Sequence, residues 1–189
     1  MDKKTIYIHM GMPKTGSTTI QNLLRENTQF LEKNGFCFFE ADSLLNFIKR
    51  EYEECESIVI KPKTFEQAKK DWEKELEPQL LSTNCNNIII SKEGFFRRGS
   101  EFLNIFDKNR YDIRIIIYLR KPAEYIVSTW AENIKTIYRN ISYAYDNEIY
   151  PQICDSDYDK IIEILKHTKK ENITIRPFEK EQWKNGNLI

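Results

Sequence analysis

TIYIHMGMPKTGSTTIQNLL, residues 5–24, decides the fold. Ile6 and Ile8 alternate with Tyr7 and His9 in a β-branched and aromatic run, which is a strand pattern. Gly11-Met12-Pro13 breaks that pattern, and Ile20, Leu23 and Leu24 then recur at helical spacing. Between strand and helix lie Lys14, Thr15, Gly16, Ser17, Thr18 and Thr19, which are one glycine, four hydroxyls and one cation. Such a strand–turn–helix suits an anion. The first N–H groups of a helix have no internal partner, and its N-terminus carries partial positive charge. Gly16 lets the backbone approach closely. The bland alternative is an ordinary turn with a Ser/Thr-rich helix start.

The rest of the chain repeats the strand–helix alternation. The first helix is expected over Ser17 to Glu32, a short strand at Phe36 to Phe39, and a helix over Ala41 to Arg50. Thr64 and Gln67 fit a capping box, and Phe65, Ala68, Trp72 and Leu76 mark a core-facing stripe behind it. Asn87 to Ile90 reads as a buried strand, and a short helix is expected over Ser100 to Phe106. Asp112 to Leu119 (DIRIIIYL) has the near-continuous apolar character of a central parallel strand covered on both faces. Pro122 suits the first turn of a helix carrying Val127, Trp130, Ile134 and Ile137. Ser156 is placed as the cap of a helix bearing Ile161, Ile162 and Leu165, and Asn172 to Arg176 is a last strand. The fold class is α/β: three layers, with a mainly parallel central sheet flanked by helices. In such sheets ligands bind beyond the carboxyl ends of the strands.

The spelling of the first loop separates it from a Walker P-loop, G-x-x-x-x-G-K-[ST]. Gly11 and Gly16 keep that spacing, but Ser17 stands where the lysine belongs, and the cation is Lys14 instead. P-K-T-G-S-T-T after a strand resembles the 5′-phosphosulfate loop of the bacterial-type sulfotransferases, whose fold is P-loop-NTPase-like and whose co-substrate is 3′-phosphoadenosine-5′-phosphosulfate (PAPS). A second stretch strengthens the resemblance. Arg120-Lys121-Pro122, with Ser128 eight positions after Arg120, is similar to that family's 3′-phosphate element. Arginine presents a planar fork to phosphate. Asn172 to Glu179 (NITIRPFE) also resembles a late strand of these proteins. Family members continue further, so the resemblance implies one domain over residues 1–189 that is short of some C-terminal elements.

The resemblance implies a sulfuryl transfer to a hydroxyl or amine, with 3′-phosphoadenosine-5′-phosphate (PAP) as the nucleotide product. Pro13, Lys14, Thr15, Gly16, Ser17, Thr18 and Thr19 would hold the 5′-phosphosulfate, with Lys14 stabilising charge on the leaving phosphate. Arg120 and Ser128 would hold the 3′-phosphate, and no metal is implied. The base is expected at Glu93, beyond the end of the NIII strand, with Glu40 after FCFF as second candidate. Lys92 stands beside Glu93 and is either a sulfonate contact or a solvated charge. His9 and His167, the two histidines, read as packed and structural or solvated, although His9 is near enough to the strand end to line the site. Tyr143, Tyr145, Tyr150 and Trp130 offer rings to a small-molecule or glycan acceptor, or form a packed flap.

Composition removes other classes. Twenty-nine basic and 29 acidic residues leave no net charge, so no global field draws nucleic acid or an anionic membrane. Cys37, Cys55, Cys85 and Cys154 include no C-x-x-C pair, which argues against zinc and leaves reduced thiols of a cytoplasmic protein as the expectation. No leader and no membrane-spanning run is apparent. Two readings compete with the sulfotransferase: a nucleotide kinase or NTPase on a variant P-loop, and a nucleotide-binding module without turnover.

Overall fold

The computed structural model describes residues 3–39, 65–92, 95, 100, 103–133 and 155–183. Its centre is a five-stranded sheet in the order β2-β3-β1-β4-β5. The strands are β1 (Lys4–His9), β2 (Phe36–Phe39), β3 (Asn87–Ser91), β4 (Tyr111–Leu119) and β5 (Ile173–Pro177), and every pairing is parallel. Helices flank the sheet: α1 (Ser17–Glu26), α2 (Thr28–Lys33), α3 (Phe65–Asp71), α4 (Glu77–Ser82), α5 (Pro122–Asn133) and α6 (Asp155–His167). This is the fold class read from the sequence.

The β-branched runs explain the sheet. Ile8 is in register with Ile90 on one side and Ile115 on the other, so one face is a continuous isoleucine layer, and all three are buried. Trp72, Leu76 and Leu80 are buried in the same core cluster. The helical stripe read as core is therefore core at Trp72 and Leu76. A π-helical turn, Trp72–Leu76, joins α3 to α4, and Pro78 follows in the first turn of α4. Proline lacks an amide donor and displaces the preceding helical bond, a common cause of such a bulge.

Several expectations need correction. The DIRIIIYL strand is interior, but β1 is the centre, and β4 is unequally covered: Ile115 and Ile117 are buried, Ile116 and Tyr118 only half so. The first helix does not reach Glu32 unbroken. It ends at Asn27, whose backbone N–H and side-chain amide both donate to Leu23 O, at 3.1 and 2.8 Å, a side-chain cap on the last turn. Short 3₁₀ structure, not an α-helix, occupies Leu103 to Ile105. Tyr125 of α5 is buried, while Val127 is 57% exposed; Ile161 and Ile164 are buried in α6, and Ile162 faces out. Ser156 lies inside α6, one residue past its start. Cys37 and Cys85 form a disulfide, contrary to the reduced-thiol reading. The pairing of β2 with β3 brings these cysteines together across 48 residues, a separation that carries no sequence signal. The cysteine argument for a reducing compartment therefore does not hold for that pair. Cys55, Cys154, the helix at Ala41 to Arg50, Thr64, Ile134 and Ile137 lie outside the described residues.

Candidate functional site

The chain leaves β1 toward β3 and β2, and it leaves β4 toward β5. A crevice therefore opens at the carboxyl ends of β1 and β4, where parallel α/β sheets bind ligands. The loop from Gly11 to Gly16 lies on one side of it. Gly16 adopts φ 70° and ends the loop as the residue before α1, and no side chain caps the helix. The first turn of α1 also carries no acidic residue. Its orphan N–H groups and the positive end of the helix face the loop without an internal anion to satisfy them.

Lys14 takes φ 66°, a left-handed conformation rare for a residue with a Cβ. Its carbonyl oxygen accepts from Arg120 Nη1 at 3.0 Å. The strand-end arginine thus meets the loop lysine's backbone. Arg120 Cζ also sits 5.9 Å from the Phe178 ring centroid, and Nε approaches Glu124 Oε2 at 3.5 Å. The Arg120 carbonyl accepts from Tyr158 OH at 2.6 Å, and Phe178 N donates to Leu119 O at 2.6 Å, so α6 and the chain after β5 both buttress this strand end.

The Lys14 ammonium reaches Glu132 Oε2 at 3.0 Å. Glu132 is on α5, four residues after Ser128, so both share one helical face. Ser128 itself is half-buried. Pro13 and Thr15 are buried; Thr15 Oγ1 donates to Met12 O at 2.6 Å, while Thr18 and Thr19 are exposed on the first turn of α1.

Beneath the loop lies a buried polar cluster. His9 and Ser91 are register partners at the ends of β1 and β3, and His9 Nδ1 is 2.7 Å from Ser91 Oγ. Tyr118 packs edge-on against the His9 ring, centroid to centroid 5.6 Å. Burial lowers the His9 pKa from 6.5 to about 4, so the ring is neutral at physiological pH. The backbone N–H of Lys92 donates to His9 O at 3.1 Å, and Gln21 Nε2 donates to Ser91 O at 3.3 Å, which ties α1 to the same edge. A Cβ on Gly11 would collide with Ser17 Oγ and stand 3.1 Å from Thr15 Oγ1 and 3.2 Å from His9 Nε2. Ser17 Oγ and His9 Nε2 are both buried without a hydrogen-bond partner.

The fold thus brings together Pro13, Lys14, Thr15, Gly16, Ser17 and Arg120. Glu93, Glu40, Tyr143, Tyr145 and Tyr150 lie outside the described residues. Sequence reading missed Glu132, gave Ser91 no role beyond ending its strand, and weighed His9 as packing against lining the site. Helical spacing from Ser128 is the signal that reaches Glu132; His9 and Ser91 meet only through strand register. Among the described residues, no group of three His, Cys, Asp or Glu is arranged to hold a metal, and no helix is long and apolar enough to cross a membrane. A cavity of about 550 Å³ opens at the other end of the sheet, lined by Tyr111, Asp112, His167 and Asn172. It sits at the amino end of β4, away from the loop and the helix N-terminus. The crevice, with its unsatisfied buried groups, is the better candidate.

The fold resembles that of a sulfotransferase. The sulfotransferase of Alicyclobacillus acidocaldarius superposes with a TM-score of 0.52 at 11% identity, over 94% of this chain and 74% of that one. A chain of the PezAT toxin–antitoxin system of Streptococcus pneumoniae matches at 0.42 and 18% identity, over 93% of this chain and 69% of that one. A protein described as a possible uridine kinase from Bacillus stearothermophilus matches at 0.35 and 12%, over 81% and 86%. At these lower scores the last two add nothing to the fold argument. No family model and no curated protein matches the chain.

Proposed function

We propose that the protein is a PAPS-dependent sulfotransferase acting on a hydroxyl or amine acceptor, with a glycan as one candidate class. The observation that carries this reading is the Arg120–Lys14 contact, which sets a guanidinium beside a lysine-bearing anion loop at one crevice. The loop fits a phosphosulfate: Gly11 has no room for a Cβ, Ser17 Oγ is buried and unpartnered, and α1 opens uncapped. Bound PAPS would supply an activated sulfuryl group, whose bond to the 5′-phosphate breaks as the acceptor's oxygen or nitrogen bonds to sulfur.

The chain's residues then have distinct tasks. The loop and the first N–H groups of α1 hold the 5′-phosphate, with Ser17 adding a hydroxyl. Lys14, whose ammonium lies 3.0 Å from Glu132, turns to the phosphate and stabilises the charge that develops there. Arg120 and Ser128 select the 3′-phosphate. Glu93 is the proposed base and Glu40 the second candidate. Positioning supplies most of the rate, as in phosphoryl transfer.

Calorimetric titration with PAP, ADP–Mg²⁺ and AMP tests the reading. PAP should bind far more tightly than either control. A preference for ADP–Mg²⁺ would replace it with a P-loop kinase or NTPase, and PAP binding without transfer to any acceptor would leave a binding module.

A further inference from the structure

Among the described residues, His9 is a buried group at the crevice whose outward nitrogen has no partner and no task in the proposed reaction. It is 4% exposed, and its inner nitrogen is taken up by Ser91. Nε2 points to the space beside Gly11 Cα, where Ser17 Oγ also ends. Both atoms lie near the place a Gly11 Cβ would take, so they are at most about 5.6 Å apart, a gap that one oxygen about 2.8 Å from each would span. Two buried polar atoms left open side by side are costly unless something completes them.

We propose that His9 is an anion-binding residue: its Nε2–H and the Ser17 hydroxyl donate to one non-bridging oxygen of the group held by the loop. Ser91 is the positioning residue. Its hydroxyl donates to Nδ1, which keeps the ring proton on Nε2, facing the anion. The lowered pKa agrees with this, because a neutral ring donates one hydrogen bond without placing a second cation beside Lys14. The class of ligand is a tetrahedral oxyanion, either phosphate or sulfuryl. The inference rests on the anion-binding reading of the loop and adds a residue from beneath it, in a strand rather than in the loop.

The test is long-range ¹H–¹⁵N spectroscopy of the ¹⁵N-histidine-labelled full chain, with His167→Gln assigning the two rings. Inorganic sulfate and PAP are the probes, and the backbone amides of residues 14–18 report loop occupancy independently. The expected result is an Nε2–H tautomer in the free protein and a shift of that resonance in step with the loop amides. Ser91→Ala should mix the tautomers and weaken PAP about tenfold, the worth of one hydrogen bond to a charged group. Loop amides that respond while His9 stays unchanged would overturn the proposal alone, assigning a buried water to the gap. An Nδ1–H tautomer that persists with PAP bound would do the same. Loop amides silent to both probes would overturn the parent reading and this one with it.

Discussion

The guanidinium of Arg120 donates through Nη1 to the carbonyl oxygen of Lys14 at 3.0 Å, joining two motifs 106 positions apart. That bond holds the backbone of a residue at φ 66°, and it fixes the distance between the loop and the end of β4. Loop shape and strand-end charge are therefore coupled.

Removing the guanidinium tests that coupling. Arg120→Ala should destabilise the fold by about 1–2 kcal/mol, since it leaves a part-buried carbonyl unpaired and strips contact from Phe178. It should also weaken PAP at least about tenfold while changing AMP little, because only PAP carries the 3′-phosphate. Urea unfolding and calorimetry separate the two effects. Equal losses for PAP and AMP would remove Arg120 from the 3′-phosphate.

The left-handed Lys14 gives an opposed pair of outcomes. A Cβ at positive φ costs about 1 kcal/mol, so Lys14→Gly should raise the stability of the free protein by up to that amount. Lys14→Ala keeps the Cβ and should raise nothing. Both should abolish sulfuryl transfer, since both remove the ammonium. Paired unfolding curves and transfer assays give the comparison.

His9 sets an acid limit. Its folded pKa lies near 4, against 6.5 when unfolded, so the unfolded state binds more protons between those values. The His9 contribution is fully present above pH 6.5, falls as pH drops through that window, and levels off below about 4. The whole loss is at most about 3 kcal/mol. Unfolding free energies measured across the window should fall more steeply for the wild type than for His9→Gln. Parallel slopes would show that His9 is not the group responsible.

Glu132 holds the Lys14 ammonium at 3.0 Å, yet its own side chain is 49% exposed. An exposed pair contributes about 0–1 kcal/mol. Glu132→Gln should therefore leave stability nearly unchanged and tighten PAP about two- to fivefold, because Lys14 no longer has to leave a carboxylate. Weaker PAP binding in the variant would show that Glu132 positions Lys14 for the nucleotide rather than competing with it.

Much of this was legible in residue order. The period-2 run at Ile6 and Ile8, the glycine break and the helical spacing of Ile20 to Leu24 are local signals, and they specify β1, the loop and α1. The apolar run of β4 and the arginine that ends it are equally local. Hence the α/β class was readable without coordinates, and Lys14, Gly16, Ser17 and Arg120 could be named as candidates. Periodicity failed where the signal was local but subtle: the Asn27 side chain joined its own backbone N–H on the Leu23 carbonyl at the end of α1, and Pro78 followed a bulge.

Tertiary structure alone decided which strand ends share a crevice. His9 meets Ser91 because β1 and β3 pair in one particular register, and a register is set by the burial of whole faces, not by either residue. The same strand order put Arg120 on the Lys14 carbonyl, α5 turned Glu132 onto its ammonium, and the pairing of β2 with β3 joined Cys37 to Cys85. The sequence by itself determined the main elements and the loop between β1 and α1, because those depend on neighbours three or four residues away. The loop's partners Arg120 and Glu132 lie 106 and 118 positions from Lys14, and Ser91 lies 82 from His9; only the packed sheet brings them within hydrogen-bond reach.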